Sequence, residues 1–240
     1  MRALLILLAF IFLAGPVRAA DVTILCYHTF LGKKSVYTDF SIEEFKSHVQ
    51  ILRDKGYHFV QWKDVISNKI KGTNNILLMI DDGHRTTSEA YYQVLKPYGI
   101  KPVLAIYPGI TNSRSFAMKW ATILDLEKDG CEVMSHGYFH EFFTEKFYRQ
   151  HPDRFNDEFF KSKKILDARL KTPVTAIVYP FGMSSDIAKQ TLVKAGYKYG
   201  FSLRQAPLTT PVKASEFLDL PRYMMTRSNA KGILQRLVSL

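Results

Sequence analysis

The segment Ile76-Leu77-Leu78-Met79-Ile80-Asp81-Asp82-Gly83 decides the fold. Its first five residues form a continuous apolar run, which is typical of a parallel strand buried on both faces. The run ends in two adjacent carboxylates and a glycine. Polar residues that directly follow a buried parallel strand lie at the edge of the sheet where α/β proteins place their functional sites. The segment therefore predicts an α/β fold and indicates where its chemistry lies.

Strand and helix patterns alternate on both sides of this segment. We predict strands at 22–27, 58–60, 76–80, 102–107, 132–135, 174–179, 198–203 and 222–225. Between them we predict helices from the capping box at Ser41 to Gly56, at 64–70, 87–96, 121–128, 155–170 and 184–195, and after Ser228. This alternation implies parallel pairing through right-handed crossovers. About seven such units without a glycine-rich phosphate loop favour a closed barrel over a doubly wound sheet.

The first nineteen residues differ from the rest of the chain. A positive Met1-Arg2 start, an apolar run from Ala3 to Gly15 and the small residues around Val17-Arg18-Ala19 are typical of a signal peptide. We therefore expect a signal peptide at 1–19 and one domain at 20–240 in an exported protein, periplasmic or extracellular. An uncleaved N-terminal anchor is the alternative. No later segment is apolar for long enough to cross a membrane.

The composition limits the partners. The chain has 240 residues with 47% hydrophobic and 23% charged content, which excludes a disordered or fibrous protein. Lys plus Arg number 33 against 22 Asp plus Glu, and the net charge of +11 favours anionic surroundings. Because the cations are scattered and export is expected, we predict no nucleic-acid partner. The oligomeric state is not indicated.

Two cysteines, Cys26 and Cys131, leave two interpretations open. In an oxidising compartment they could form a disulfide bond. Buried free thiols are equally compatible with their positions in or beside predicted strands. Neither cysteine has the spacing of a metal site.

A second polar motif, Ser135-His136-Gly137-Tyr138-Phe139-His140, follows another predicted strand. Two histidines four positions apart share one face if the segment begins a helical turn, and they then suit two ligands of one metal. Alone this match is weak. Together with the Asp-Asp pair it predicts one Asp and two His around a divalent ion, with an open position for water as in catalytic zinc sites.

A third motif, Tyr179-Pro180-Phe181-Gly182, follows the predicted strand at 174–179. The proline fixes the turn and the glycine lets the backbone approach a ligand closely. An amide N–H that points outward there could bind an oxyanion. An ordinary strand-to-helix turn is the alternative.

In this order, the Asp-Asp-Gly, His-x-x-x-His and Tyr-Pro-Phe-Gly motifs resemble those of the polysaccharide deacetylase family, the NodB-homology carbohydrate esterases. Leu25-Cys26-Tyr27-His28 and Leu220-Pro221-Arg222 are similar to the branch that includes exported poly-N-acetylglucosamine deacetylases. The resemblance covers roughly residues 22–225. It implies a distorted (β/α)7 barrel and metal-dependent removal of acetyl groups from an N-acetylated envelope or extracellular polysaccharide.

The resemblance also implies roles for individual residues. Asp81 would be the general base, and Asp82, His136 and His140 would hold a divalent metal, zinc before cobalt or nickel. The amide of Phe181 would help to stabilise the tetrahedral oxyanion. These roles agree with the chemistry, because a metal polarises the acetyl carbonyl while an unligated carboxylate accepts the proton of its water.

Two departures from the family pattern need substitutes. Many members carry an Arg shortly before the Pro of the third motif, where this chain has Ile177-Val178-Tyr179. We predict that Arg222 replaces it and holds Asp81 ionised, with a surface cation as the alternative. The late Leu-x-His motif is also absent, since no His follows His151.

Without the late histidine, the proton for the leaving amine must come from another group. The candidates are His28, His84 and the proton of the metal-bound water returned by Asp81. The residues predicted to bind substrate, an acetylated polysaccharide, are Tyr179, Pro180, Phe181, Trp120, His28 and His84.

Nine Phe or Tyr residues lie between Tyr138 and Phe160. They could stack on sugar rings, although packing of a helix against the core is the simpler interpretation. A glycan-binding protein that kept the barrel but lost turnover is the alternative to an enzyme, because of the missing late histidine and the altered third motif.

Overall fold

The computed structural model describes residues 19–239, so the expected signal peptide, apart from Ala19, lies outside the described residues. The strands are β1 (Ala20–Tyr27), β2 (His58–Phe59), β3 (Asn75–Ile80), β4 (Val103–Ile106), β5 (Glu132–Ser135), β6 (Ala176–Val178), β7 (Tyr199–Phe201), β8 (Leu208–Thr210) and β9 (Tyr223–Met224). The α-helices are α1 (Ile42–Asp54), α2 (Trp62–Ile66), α3 (Thr86–Ala90), α4 (Trp120–Lys128), α5 (Glu145–Gln150), α6 (Pro152–Arg169), α7 (Asp186–Lys194) and α8 (Ala230–Ser239).

The strands form one curled sheet. The order β7-β6-β5-β4-β3-β1 is parallel throughout. β9 pairs in parallel with β1, and Leu220 bridges to Phe201 of β7, so the segment 220–224 joins the two ends of the sheet. The six parallel strands and the segment 220–224, which serves as the seventh, form a distorted barrel. The predicted (β/α)7 architecture is confirmed.

The apolar run in β3 is continuous because both faces of the strand are buried. Ile76, Leu78 and Ile80 pack against the helices, while Leu77 and Met79 point into the barrel. Side chains alternate along a strand with a period of two, so Asp81 continues the face that points inward. The same alternation places His136 inward, because Met134 of β5 lies in the barrel interior.

The helical layer forms as the sequence predicts around α1. Ser41 and Glu44 make the predicted capping box, and Phe45, Val49 and Leu52 are buried. Burial of each such side chain stabilises the fold by about 1.5–3 kcal/mol. Within residues 19–239, no helix is both long enough and apolar enough to cross a membrane.

Several elements differ from the prediction, and α6, for example, begins at Pro152 instead of at 155. α2 begins at Trp62 instead of at 64, because the Glu132 carboxylate accepts hydrogen bonds from the N–H groups of Trp62 and Lys63 at 2.7 and 3.0 Å. The short helix α5 and the strand β8 were not predicted. β8 has a polar sequence and becomes a strand through antiparallel pairing with β1.

Both cysteines are buried free thiols. Cys26 lies near the end of β1 and Cys131 just before β5, and β3 and β4 separate these two strands in the sheet. A disulfide bond requires Cα atoms within about 7 Å of each other, which this arrangement does not allow. The interpretation as free thiols is therefore the correct one.

We predict that the unfolded protein, without reductant, reacts with two equivalents of a thiol reagent, whereas the folded protein reacts slowly because both thiols are buried. Titration of thiols in and out of denaturant measures this. Fewer than two reactive thiols in denaturant, restored by reductant, would contradict the structure.

Candidate active site

The backbone at the end of β3 separates the two adjacent carboxylates. The strand ladder continues through Asp81, whose N–H donates to the Tyr27 carbonyl at 2.8 Å. Asp82 then adopts a left-handed conformation with φ of 70°, which Asp tolerates better than most residues. The turn sends the two side chains to different partners, so neighbouring carboxylates take up separate positions.

Asp82, His136 and His140 converge at the carboxyl ends of β3 and β5. Oδ1 of Asp82 lies 3.4 Å from Nε2 of His136 and 3.4 Å from Nε2 of His140. The candidate ligand atoms all lie within 4.8 Å of one another. Nδ1 of His136 donates to the Val178 carbonyl at 2.8 Å, which leaves the Nε2 lone pair to face the carboxylate.

Three observations show that this trio fits a cation. Oδ1 of Asp82 is buried and has no hydrogen-bond partner among the described residues. Burial and the neighbouring His136 lower the pKa of His140 to about 4, so its imidazole is neutral, as a metal ligand must be. Burial alone would lower the pKa of His136, but Asp81 and Asp82 outweigh it and raise that pKa. Because these two carboxylates stabilise a positive charge on His136, they would also stabilise a bound metal cation.

Asp81 forms a buried ion pair with Arg222. Nη1 of Arg222 donates to both oxygens of Asp81 at 3.1 and 2.9 Å, and its Nε donates to the Ser202 carbonyl at 3.1 Å. Arg222 is 1% exposed, so the alternative of a surface cation is wrong. Burial raises the pKa of Asp81, but the Arg222 guanidinium, with His136 and His28, outweighs it and holds that pKa below its usual range.

A second group of candidate metal ligands overlaps this ion pair. The ligand atoms of Cys26, His28 and Asp81 also lie within 4.8 Å of one another. Arg222, however, already donates to both carboxylate oxygens of Asp81. A cation at this second position would be repelled by the guanidinium. Burial, with the negative charge of Asp81, also raises the pKa of the Cys26 thiol, which disfavours the thiolate a metal needs.

The third motif forms a tight turn beside the two histidines. Phe181 and Gly182 have φ of 57° and 69°. The hydrogen bonds of the turn use the N–H groups of Gly182 and Met183, and within residues 19–239 the N–H of Phe181 takes no part in them. The ring of Phe181 is 49% exposed and its centroid lies 4.6 Å from that of His140.

These residues line a small cavity of about 140 Å³. His28 borders it from the end of β1, and Nδ1 of His28 is buried without a hydrogen-bond partner within residues 19–239. Asp81, Asp82, His136, His140, Phe181 and Arg222 also border the cavity. Residues from five different βα segments thus meet in one place.

Comparison with known proteins identifies the family. The family model described as polysaccharide deacetylase matches residues 68–200, which is more than half of the chain. The chain belongs to the polysaccharide deacetylase family. The family resemblance of the three motifs is therefore confirmed.

Relatives and solved structures agree with this assignment. The chain is 25% identical over 187 residues to the putative polysaccharide deacetylase YxkH of Bacillus subtilis, covering 76% of this chain and 64% of that protein. It is 26% identical over 208 residues to the poly-beta-1,6-N-acetyl-D-glucosamine N-deacetylase of Staphylococcus aureus, covering 82% and 71%. The chain thus spans about two thirds of the length of these relatives.

Two solved structures superpose on the chain over nearly their whole length. IcaB from Ammonifex degensii superposes with a TM-score of 0.75 at 22% identity, covering 91% of this chain and 97% of that one. The Streptococcus pyogenes deacetylase PplD, in complex with acetate, superposes with a TM-score of 0.75 at 22% identity, covering 90% and 98%. These likenesses confirm the fold.

Of the residues expected to bind substrate, His28, Tyr179 and Phe181 border the cavity, whereas Pro180, Trp120 and His84 do not. Tyr179 borders the cavity, but its side chain is buried and its hydroxyl donates to the Leu218 carbonyl at 2.9 Å. Pro180 is buried within the turn. Trp120 is 7% exposed in the core, where the Arg169 guanidinium lies 5.2 Å from its ring.

His84 does not border the cavity either. Its Nδ1 lies 2.8 Å from Oγ1 of Thr86, and its ring stacks on Phe116. The nine aromatic residues divide between the two interpretations given above. Phe143, Phe155 and Phe159 pack in the core, whereas others, including Phe139, Phe142 and Phe160, are exposed.

The loop that carries His140 is organised by a residue that the sequence did not reveal, Glu158 of α6. Its carboxylate accepts hydrogen bonds from the N–H groups of residues 138–141, at 2.9, 2.9, 3.1 and 3.3 Å. The segment 136–140 is therefore not a helical turn, and the two imidazoles meet through the fold of the loop instead. The segment wraps around a buried anion, and His140 adopts φ of 67°.

Glycine is required where this loop passes closest to Glu158. Gly137 has φ of 80°, and a Cβ atom there would lie 2.3 Å from Oε2 of Glu158. The Ser162 hydroxyl, also on α6, donates to the Gly137 carbonyl at 2.8 Å. α6 thus fixes the loop from two sides and places the second imidazole beside Asp82.

We predict that Glu158→Gln lowers the free energy of unfolding by about 1–3 kcal/mol, because an amide cannot accept all four hydrogen bonds. The amides of 138–141 should then exchange hydrogen faster at a given global stability. Denaturant unfolding and amide hydrogen exchange measure the two effects.

Glu132→Gln is the matched control, since Glu132 also accepts backbone N–H groups but at the opposite end of β5. It should cost similar stability without changing exchange at 138–141. Equal exchange at 138–141 in both variants would contradict the role given to Glu158.

Proposed function

We propose that the protein is a metal-dependent hydrolase that removes N-acetyl groups from N-acetylglucosamine-type units of an envelope or extracellular polysaccharide. The observation that carries this proposal is the convergence of Asp82, His136 and His140, with Asp81 beside them and engaged by Arg222 instead. Family membership supports the reaction class. Export to the periplasm or the extracellular space would place the protein with such a polymer.

Asp82, His136 and His140 would hold the metal. One carboxylate and two imidazoles suit zinc, with cobalt or nickel as alternatives that prefer similar donors. When bound, the ion would polarise the acetyl carbonyl and lower the pKa of its water. The Val178 carbonyl orients His136, and Glu158 orients His140 through its backbone.

Asp81 would act as the general base. A base must be ionised and within reach of the attacking water. Arg222 supplies the first condition. Burial alone would raise the pKa of Asp81, but the guanidinium holds it below its usual range. Its position supports the second, because Oδ2 of Asp81 lies 3.9 Å from Nε2 of His136, one of the candidate ligands.

The turn at Phe181 would stabilise the transition state. Its backbone N–H is left out of the turn's hydrogen bonds within the described residues and sits on a backbone fixed by Gly182 and Met183. A preorganised donor aimed at a developing oxyanion contributes about 3–4 kcal/mol to catalysis. The left-handed backbone at Phe181 would serve the chemistry by leaving this N–H available.

Two groups can return a proton to the leaving amine. His28 and Asp81 both border the cavity, and Nδ1 of His28 is not engaged by any described residue. His84 is held by Thr86 outside the cavity. The structure therefore favours His28, or Asp81 after it has accepted the proton of water, as the donor.

The substrate class has support from a relative. The Staphylococcus aureus relative is named as acting on poly-β-1,6-N-acetyl-D-glucosamine, and peptidoglycan and chitin-like polymers carry the same acetamido group. A glycan-binding protein without turnover remains the second candidate, favoured by the absence of any His after His151. The intact Asp81–Arg222 pair favours turnover, because binding alone needs no ionised buried base.

We predict that Asp81→Asn lowers acetate release from N-acetylglucosamine oligomers by about 10²- to 10⁴-fold, because the base is lost. Its metal content should equal that of the wild type, since Asp81 is not a ligand. Acetate assays and elemental analysis measure these quantities.

A double variant separates catalysis from folding in that experiment. Asp81→Asn alone leaves the buried Arg222 guanidinium without a counter-charge, and such a loss destabilises a protein by about 3–5 kcal/mol. Asp81→Asn with Arg222→Met removes both charges, so that no guanidinium stays buried without a counter-charge, and it should recover part of this stability without recovering activity. Recovered activity in the stable double variant would exclude Asp81 as the base.

We also predict that a strong chelator removes about one metal ion per chain and abolishes acetate release, and that zinc or cobalt restores both. His140→Ala should lose the metal without chelator, whereas Asp81→Asn should keep it. Full activity in protein shown by elemental analysis to be free of metal would refute the metal dependence.

A further inference from the structure

The two candidate imidazole ligands are held in different ways. Nδ1 of His136 donates to the Val178 carbonyl at 2.8 Å, and this hydrogen bond fixes the orientation of the ring. Among the described residues, no hydrogen bond reaches the ring of His140, whose Nε2 faces Oδ1 of Asp82 at 3.4 Å. A histidine that binds a metal almost always has its second ring nitrogen held by a carboxylate, a carbonyl or water. The orientation of His140 therefore has another cause.

The backbone contact with Glu158 does not orient the ring. The Glu158 carboxylate accepts a hydrogen bond from the N–H of His140 at 3.1 Å, and this contact fixes the point from which the side chain extends. The backbone still permits several side-chain rotamers, and the surroundings of the ring select one of them. The imidazole of His140 must therefore be held by the groups that pack against it.

Three rings lie against the imidazole of His140. Its centroid is 4.6 Å from that of His136, 4.6 Å from that of Phe181 and 5.3 Å from that of Tyr107. These distances fall within the range of about 4.5–7 Å at which aromatic rings attract each other in preferred orientations. Tyr107 also lies near the ring of His136, with centroids 6.3 Å apart. One partly buried tyrosine therefore packs against both imidazoles.

The alternation of β4 directs Tyr107 toward the candidate ligands. Val103 and Ala105 point into the barrel, and side chains alternate along a strand with a period of two. Tyr107 directly follows β4 and continues this inward face, as Asp81 does after β3 and His136 after β5. Inward-pointing residues from three adjacent strands thus meet at the same edge of the sheet.

The backbone on either side of Tyr107 is attached to the segment that carries the two histidines. Before it, the Ile106 carbonyl accepts a hydrogen bond from the N–H of His136 at 2.8 Å. After it, the N–H of Gly109 donates to the Tyr138 carbonyl at 2.9 Å. A Cβ atom at Gly109 would come too close to the same oxygen, so only glycine permits this approach. These contacts fix the position from which the tyrosine ring reaches the imidazoles.

We propose that Tyr107 is a positioning residue of the candidate metal site, and that its ring holds the imidazole of His140 in the orientation that faces Asp82. The hydrogen bond that orients His136 has no counterpart at His140, and ring packing takes its place. This assignment rests on the proposed function, since it takes Asp82, His136 and His140 as the metal ligands. The contact is made by the ring, so the Tyr107 hydroxyl is not required.

The first test measures zinc affinity, by competition with a chromophoric chelator, in Tyr107→Ala, Tyr107→Phe and the wild type. Tyr107→Ala should weaken zinc binding about 10- to 100-fold, the loss that is typical when a group that orients a metal ligand is removed. Tyr107→Phe should bind zinc as tightly as the wild type, because it keeps the ring. Unchanged affinity in Tyr107→Ala, or equal losses in both variants, would overturn the role given to the ring.

Tyr199→Ala is the matched control for lost aromatic packing. Tyr199 is also partly buried, and its ring packs on those of Trp62 and Phe217, with centroids 5.1 and 5.0 Å away. These three residues do not border the cavity, so the control should leave zinc affinity unchanged. A loss of affinity in Tyr199→Ala equal to that in Tyr107→Ala would show a general effect of lost packing and would contradict the proposal.

A measurement on the metal-free protein separates this role from the proposed function. NMR relaxation should give a lower order parameter for the His140 imidazole in Tyr107→Ala than in the wild type. The imidazole of His136 should be unchanged, because the Val178 carbonyl holds it. If the wild type binds no zinc, the proposed metal dependence is wrong, and the order parameters still decide the role of Tyr107. Equal order parameters for His140 in the two proteins would exclude that role.

Discussion

The buried ion pair between Asp81 and Arg222 is the constraint on which the site depends. The two residues are 141 positions apart and meet because the segment 220–224 closes the barrel between β7 and β1. Inside the barrel an unpaired carboxylate would take up a proton, and an unpaired guanidinium would cost several kcal/mol. Closure of the barrel therefore fixes the charge of the residue placed as the base. Folding and the readiness of the site for chemistry are coupled through this contact.

The backbone assigns different tasks to two neighbouring carboxylates. Asp81 follows the inward alternation of β3 and reaches Arg222, whereas the left-handed turn at Asp82 directs its side chain toward the two imidazoles. Because Arg222 donates to both oxygens of Asp81, a cation is better accommodated at Asp82. If Asp82 and the two imidazoles hold a metal as proposed, Asp81 would lie beside it without coordinating it and would be free to accept a proton.

Most of the fold and the core of the site could be predicted because they depend on local signals. The apolar run of β3, the capping box at Ser41 and the order of the three motifs are all visible over a few residues. The rest depends on contacts between distant residues. Glu158 resembles any polar residue in an amphipathic helix until the loop at 138–141 folds around it. Glu132 fixes the start of α2 through contacts with residues 70 and 69 positions away. The direction of the Trp120 side chain, which lies in the core, also depends on tertiary packing, because a helix start says nothing about which way its first side chain points.

The most direct test of the account is a crystal structure of the zinc-loaded protein, with anomalous diffraction at the zinc edge. The account predicts one strong peak, about 2.0–2.2 Å from a carboxylate oxygen of Asp82 and from Nε2 of His136 and His140, with Asp81 still bound to Arg222. A peak bound instead by Cys26, His28 and Asp81, or zinc-loaded crystals with the three predicted ligands turned away from any peak, would contradict it.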